Sequence, residues 1–189
     1  NSKYNNAIEL MEQGEYEEAI AIFAELDEYK DSQSYFSSIL KKIAIKDTIS
    51  AGYGHTVGLK SDGTVVAVGY NVNGQCDVDD WTDIVAISAG NHHTVGLKSD
   101  GTVVAIGYNY EVRCDVDDWT DIVAISTGYG HTVGLKSDGT VVAVGDNWSG
   151  KCDVADWTDI VAISTGTNHT VGLKTDGTVV AVGDNEDGQ

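Results

Sequence analysis

Four histidines, His55, His93, His131 and His169, recur at a constant step of 38 residues, and three cysteines, Cys76, Cys114 and Cys152, recur at the same step. Histidine and cysteine are common metal ligands and nucleophile–base partners, so their spacing decides what chemistry they could perform. Zinc needs ligands that converge, often through close C-x-x-C pairs, and this spacing supplies none. Equivalent positions of successive repeats are spread around an array. Neither set is therefore expected to form a metal site or a catalytic centre. The histidines fall on the apolar phase of their segments and are expected to be buried, hydrogen-bonded structural groups. The cysteines are expected as small core residues. His92 stands outside the periodic set, in a loop, and is a candidate ligand contact.

Other apparent motifs fail on their own terms. The acidic run from Asp77 to Asp83 lacks the glycine a calcium loop needs at its sixth position, and Ser88 stands where a bidentate glutamate belongs. Its aspartates read as turn caps and rim solvation, and Trp81, Trp119 and Trp157 as packing between repeats. Gly52-x-Gly54 followed by Gly58 misses the dinucleotide fingerprint by one residue and precedes a strand pattern rather than a helix. There is no G-x-S-x-G, H-E-x-x-H or Walker loop. The chain is expected to be non-enzymatic, with no cofactor and no metal.

Composition narrows the partners. Thirty acids against eleven bases give the 189 residues a formal charge of -19. Such a surface repels phosphate backbones and anionic lipids, so no nucleic acid and no direct membrane insertion is expected. No apolar run approaches the roughly 20 residues of a membrane span. Three cysteines make no disulfide framework, and with 22 glycines and no proline, turns must rest on glycine and Asx residues.

The elements that would position these residues repeat as a unit. Ile49-Ser50-Ala51-Gly52 returns at Ile87, Ile125 and Ile163, defining repeats 49–86, 87–124, 125–162 and an incomplete 163–189. Within a repeat, the apolar run Ile84-Val85-Ala86-Ile87 predicts an inner strand. His55, Val57 and Leu59 alternate with Thr56, Gly58 and Lys60 as a second strand. The Asp62-Gly63 pair predicts a hairpin turn, and Val65-Val66-Ala67-Val68 a third strand. A fourth, poorer strand is expected near Cys76-Asp77-Val78. The fold class is mainly β: a partial β-propeller of about four blades preceded by a small α-helical segment.

The spacing G-x-x-H-x-x-x-L-x-x-D-G-x-V, at Gly52, His55, Leu59, Asp62, Gly63 and Val65, resembles the repeat of the regulator of chromosome condensation. The resemblance implies a four-stranded blade, usually in a seven-bladed ring. Two positions depart from that pattern: the tryptophan often found before the third strand's glycine is Val68, Ile106, Val144 or Val182, and the following segment reads Gly74-Gln75-Cys76-Asp77. The eukaryotic founder's nucleotide-exchange activity is not carried over, because its loop residues have no counterpart that can be placed. Four units fall short of seven blades. The favoured reading is part of a longer ring, followed by two chains that complete one as a homodimer.

Residues 1–48 carry a helical period instead, with Ala7, Leu10 and Met11 on one stripe and Ala19, Ile20, Phe23 and Ala24 on another. Gly14-x-Tyr16-x-x-Ala19-x-x-x-Phe23 resembles the middle of a tetratricopeptide unit. Asp31-Ser32 is expected to cap a third helix reaching about Ile45, and the segment is expected to cover the edge of the first blade.

Comparing the repeats with one another isolates what varies. One variable set follows the first strand (Tyr53, Asn91-His92, Tyr129, Thr167-Asn168). The other follows the third strand (Tyr70; Tyr108, Tyr110 and Arg113; Trp148 and Lys151). In an up-and-down blade both connections emerge on one side, so both sets are expected on one face, where aromatic and small polar residues suit recognition. The expected function is non-enzymatic protein recognition through Tyr53, Tyr70, His92, Tyr108, Tyr110, Arg113, Tyr129, Trp148 and Lys151, with a partner bearing a basic patch. Arg113 and Lys151 are expected as positive contact points on an acidic face. The alternatives are a carbohydrate-binding propeller, the non-catalytic part of a larger enzyme or surface protein, and an adhesin-like spacer. A bacterial cell-surface or secreted setting is the weakly favoured location.

Overall fold

Each Asp-Gly turn is built the same way. Gly63 takes φ +82°, a left-handed conformation that a Cβ would oppose, while Asp62 Oδ1 accepts bonds from the Thr64 backbone N–H (2.9 Å) and hydroxyl (2.7 Å). The arrangement returns at Asp100, Asp138 and Asp176. It joins the β-branched runs on either side into hairpins. The computed structural model describes residues 2–13, 15–26, 31, 32, 35 and 49–189.

Four three-stranded antiparallel sheets follow in chain order: β1 (Ile49–Ala51), β2 (His55–Leu59) and β3 (Val65–Gly69); β4 (Ile84–Ala89), β5 (His93–Lys98) and β6 (Val103–Gly107); β7 (Ile122–Thr127), β8 (His131–Lys136) and β9 (Val141–Gly145); β10 (Ile160–Thr165), β11 (His169–Lys174) and β12 (Val179–Gly183). The second and third strands pair in the same register in every blade, with His55 facing Gly69 and Val57 facing Ala67 in the first; in the last three blades the first strand carries a bulge that the first blade lacks.

The expected fourth strand does not form. Asn71 Oδ1 accepts the Cys76 N–H at 2.7 Å, and Asn71 Nδ2 donates to Asp77 Oδ1 at 2.7 Å. Asn109 and Asn147 do the same to Cys114 with Asp115 and to Cys152 with Asp153. A side-chain amide thus takes the donor that a strand partner would need, and the segment closes into turns. The cysteines, expected in the core, sit half-buried in these turns as free thiols.

The core lies between blades. Val95, Leu97 and Val103 of the second blade pack with Val116, Trp119 and Ile122, and Val142 and Val144 of the third blade close over them. Val133, Leu135 and Val141 pack likewise with Val154, Trp157 and Ile160, under Val180 and Val182. Trp119 lies across Gly134, where a Cβ would stand 2.7 Å from the indole, so the middle strand needs glycine there. The tryptophans thus form the expected packing between repeats.

Two compact units are distinguished, Asn1–Lys46 and Asp47–Gln189. In the first, α1 (Ser2–Gln13) and α2 (Tyr16–Leu26) form an antiparallel pair. Tyr4, Ala7, Ala19 and Phe23 are buried between them, Tyr35 stacks on Phe23 at 5.4 Å, and Lys3 pairs with Glu25 at 2.7 Å. The expected third helix falls largely outside the described residues. No helix among them is long and apolar enough to cross a membrane.

Candidate recognition site

At the end of every β2-type strand a backbone bond ties the two variable loops together. The Tyr70 N–H donates to Gly54 O at 2.7 Å, Tyr108 N–H to His92 O at 2.8 Å, Asp146 N–H to Gly130 O at 2.8 Å and Asp184 N–H to Asn168 O at 2.9 Å. The loop after the first strand and the loop after the third are thereby neighbours in each blade.

His92 stands where other repeats carry Gly54, Gly130 or Asn168, and it fills the gap between two blades. Its ring lies 6.0 Å from Tyr53, 6.1 Å from Tyr70 and 6.4 Å from Tyr108. Tyr110 stacks on Tyr108 at 5.9 Å with an interplanar angle of 14°. Tyr53, Tyr70, Tyr108 and Tyr110 remain exposed, so this cluster is a surface rather than a core. The loop carrying Tyr110 is strained: Glu111 and Val112 take φ +58° and +57°, whereas the other repeats place Gly74, Gly150 and Gly188 at the position of Val112.

Arg113 and Lys151 are not surface cations, which corrects the expectation for both. Arg113 is 5% exposed and Lys151 1%. The Arg113 guanidinium donates to Tyr110 O (2.9 Å) and Tyr129 O (3.4 Å) and lies 5.2 Å from the Tyr108 ring centroid, so it braces the aromatic cluster from beneath. Lys151 Nζ donates to Asp146 Oδ2 at 2.7 Å and to Asn168 Oδ1 at 3.5 Å. That bond holds the Asp146 carboxyl below its usual range. Both share a register with buried Gln75, a coincidence of position that the repeat alignment contained.

Trp148, 94% exposed, and Tyr129 project from later repeats, with no ring contact to the His92 cluster. An open groove of about 340 Å³ runs past Gly52, Gly90, Gly128 and Gly166 and the residue following each, including Tyr53 and Tyr129.

Three of the four repeated histidines act structurally. His55 Nε2 meets Thr94 Oγ1 at 2.8 Å, His93 meets Thr132 at 3.0 Å and His131 meets Thr170 at 3.0 Å, each pair joining consecutive blades. His169 is half-buried in the last blade. Among the described residues no three His, Cys, Asp or Glu side chains gather as a metal site. Burial raises the Cys114 and Cys152 thiols to about 11, so both stay protonated and unreactive near neutral pH.

The regulator of chromosome condensation (RCC1) repeat model matches residues 46–75, 84–111, 122–150 and 160–189. The chain belongs to the RCC1 repeat family. Its inter-blade histidines and the glycines three residues before them are the RCC1-type G-x-x-H positions seen in the sequence, and geometry explains them: a Cβ on Gly90 would collide with the His93 ring.

Solved structures agree in fold. Yeast RCC1 (Prp20) bound to Kap60 matches with TM-score 0.62 and 19% identity, over 73% of this chain and 43% of that one. The ectodomain of the Physcomitrella patens receptor kinase CR4 matches with TM-score 0.62 and 19% identity, over 74% and 42%. Human WBSCR16 matches with TM-score 0.61 and 17% identity, over 75% and 50%. The RCC1-type blades here thus span half or less of each of these chains. A comparison with curated protein sequences gives no match.

Proposed function

We propose that this chain is a non-enzymatic recognition module that binds a protein through the loop face centred on His92. The observation that carries the reading is the convergence of Tyr53, Tyr70 and Tyr108, drawn from two blades, on one histidine, with Tyr110 stacked alongside and Arg113 beneath. Aromatic residues bring large contact area at low conformational cost and dominate binding energetics. The strained backbone at Glu111 and Val112 supports the reading, since such strain persists mostly where a loop shape is put to use. The charge of -19 suits a partner with a basic patch that approaches by electrostatic steering. Structural neighbours bind proteins, as yeast RCC1 binds Kap60.

The test is affinity capture followed by measured binding of whatever is retained. A protein partner should be lost with Tyr53→Ala or Tyr110→Ala and kept by a control change in the Asp-Gly turns, such as Lys136→Ala. Its association rate should fall as salt rises. Capture that survives the tyrosine changes would refute the site.

Trp148, almost wholly exposed, keeps carbohydrate binding as the second reading, because a bare indole face stacks on sugar rings. Glycan-array signal lost in Trp148→Ala and Tyr110→Ala, with no protein captured, would replace the first reading with the second.

A further inference from the structure

Gln75, Arg113 and Lys151 stand in one register at the three junctions between consecutive blades. Their main chains are held identically: the hydroxyls of Thr94, Thr132 and Thr170, in the blade that follows, donate to their carbonyl oxygens at 2.7 Å in each case. Their side chains are buried, with 0%, 5% and 1% exposure. The backbone is constant there, and the side chain changes from junction to junction.

At a constant separation of 17 residues, the following blade answers each of them with a different residue: His92, Gly130 or Asn168. The partners match in size and polarity. Arg113 is long, and its guanidinium reaches Tyr129 O at 3.4 Å. A Cβ on Gly130 would stand 3.4 Å from that guanidinium and 3.3 Å from Asp146 Cβ, so the space is already filled. Lys151 needs acceptors, and Asn168 Oδ1 supplies one at 3.5 Å beside Asp146 Oδ2 at 2.7 Å. Gln75 is shorter and neutral. Its Oε1 turns back to accept the Asn73 N–H at 3.1 Å, inside its own loop.

The space that Gln75 leaves is put to use. Tyr70 and Tyr108 hold the same place in successive repeats. The Arg113 guanidinium lies 5.2 Å from the Tyr108 ring, whereas at Tyr70 the neighbour is the His92 ring at 6.1 Å. Gln75 Cβ and the His92 carbonyl both border Gly107, yet Gln75 Nε2 and His92 Nδ1 have no hydrogen-bond partner. These two residues are matched by fit and not by a bond.

We infer that Gln75 with His92, Arg113 with Gly130 and Lys151 with Asn168 are specificity-determining pairs, in which the buried member decides what the loop face can show above it. Gln75 is then a positioning residue, the one that admits His92 among its tyrosines. The pairing stands on packing alone; its bearing on recognition rests on the function proposed above.

The experiment uses the full chain, with urea midpoints and the NMR resonances of the His92 ring, which ring currents from the tyrosines displace. Gln75→Arg should lower the midpoint and move the His92 resonances to those of an exposed histidine. Gln75→Met, of similar length but without the amide, should leave the resonances in place. Adding His92→Gly to Gln75→Arg should recover more than about half of the lost midpoint. In the reverse direction, Gly130→His should lower the midpoint and Arg113→Gln should recover it to a similar degree. Additive losses in both cycles would overturn the inference, and so would His92 resonances that Gln75→Arg leaves unmoved. If Gln75→Arg fails to fold, a double variant with His92→Gly that also fails to fold overturns it. No partner enters either readout, so the result stands or falls separately from the capture experiment.

Discussion

His93 Nε2 lies 3.0 Å from Thr132 Oγ1, and this hydroxyl lies 2.7 Å from the carbonyl oxygen of Arg113. The hydroxyl proton goes to that carbonyl, so the imidazole must be the donor to the threonine. His93 is thereby fixed as the Nε2–H tautomer, with Nδ1 buried and unbonded. The same chain of contacts runs from His55 through Thr94 to Gln75 O and from His131 through Thr170 to Lys151 O.

Acid should loosen the propeller through these histidines. Burial, with the nearby Arg113 charge, pushes His93 from 6.5 down to about 3; burial, with Lys151, pushes His131 down to about 4. The unfolded chain takes up protons near 6.5 while the folded chain does not, so acidification favours unfolding. Stability should be full above pH 6.5 and decline as pH falls from there, to about 4 for the His131 contribution and to about 3 for that of His93. The turn carboxylates Asp62, Asp100, Asp138 and Asp176, lowered by their threonine bonds, should begin to lose their contribution only below their ordinary value of 3.8. Urea midpoints followed by circular dichroism from pH 7.5 to 4.5 check this; a flat series would contradict it.

Thr132→Val keeps the shape of the side chain and removes both its acceptor and its donor. The His93 N–H and the Arg113 carbonyl are then buried without partners, at a cost of about 1–3 kcal/mol. Thr56→Val, at the exposed end of the array, should change the stability of the single chain by less than about 0.5 kcal/mol. Equal losses at both sites in denaturant titrations would show that the polar chain contributes nothing specific.

Val112→Gly should stabilise the protein. A β-branched residue at φ +57° is held in a left-handed conformation that costs L-residues roughly 1–2 kcal/mol, and three other repeats use glycine there. The melting temperature should rise, while binding through Tyr110 should weaken if the strain shapes the recognition loop. A fall in melting temperature would refute the strain assignment.

Lys151→Met should raise the Asp146 carboxyl from its lowered position, because the amine bond at 2.7 Å is the main cause of that lowering. Stability should fall by about 1–3 kcal/mol, at the lower end because Asp146 keeps access to water. Carboxyl chemical shifts followed through an acid titration read the first effect directly; an unmoved Asp146 would mean the pair does not persist in solution.

The blades were legible in the sequence because each rests on local rules: Asp62-Gly63 closes a hairpin, alternation in His55–Leu59 marks a half-buried strand, and identical spacing multiplies both. The separate expectation of a strand at Cys76–Val78 failed because Asn71 offers an amide closer than any strand partner. Arg113 and Lys151 misled for a related reason. Long charged side chains in variable loops are ordinarily solvated, and only the proximity of Tyr108 and Asp146 makes their burial tolerable. His92 stood out as an extra histidine, but its three tyrosine neighbours come from separate loops of two blades, which no local pattern reports.

Each of the first three blades joins its histidine and its serine to the blade that follows it. A duplication that added one whole repeat would thus import a finished set of these partners, and only the buried pair at the new junction would need matching. Such a chain could lengthen or shorten by recombination in steps of one repeat, while the exposed tips of its loops diverge freely.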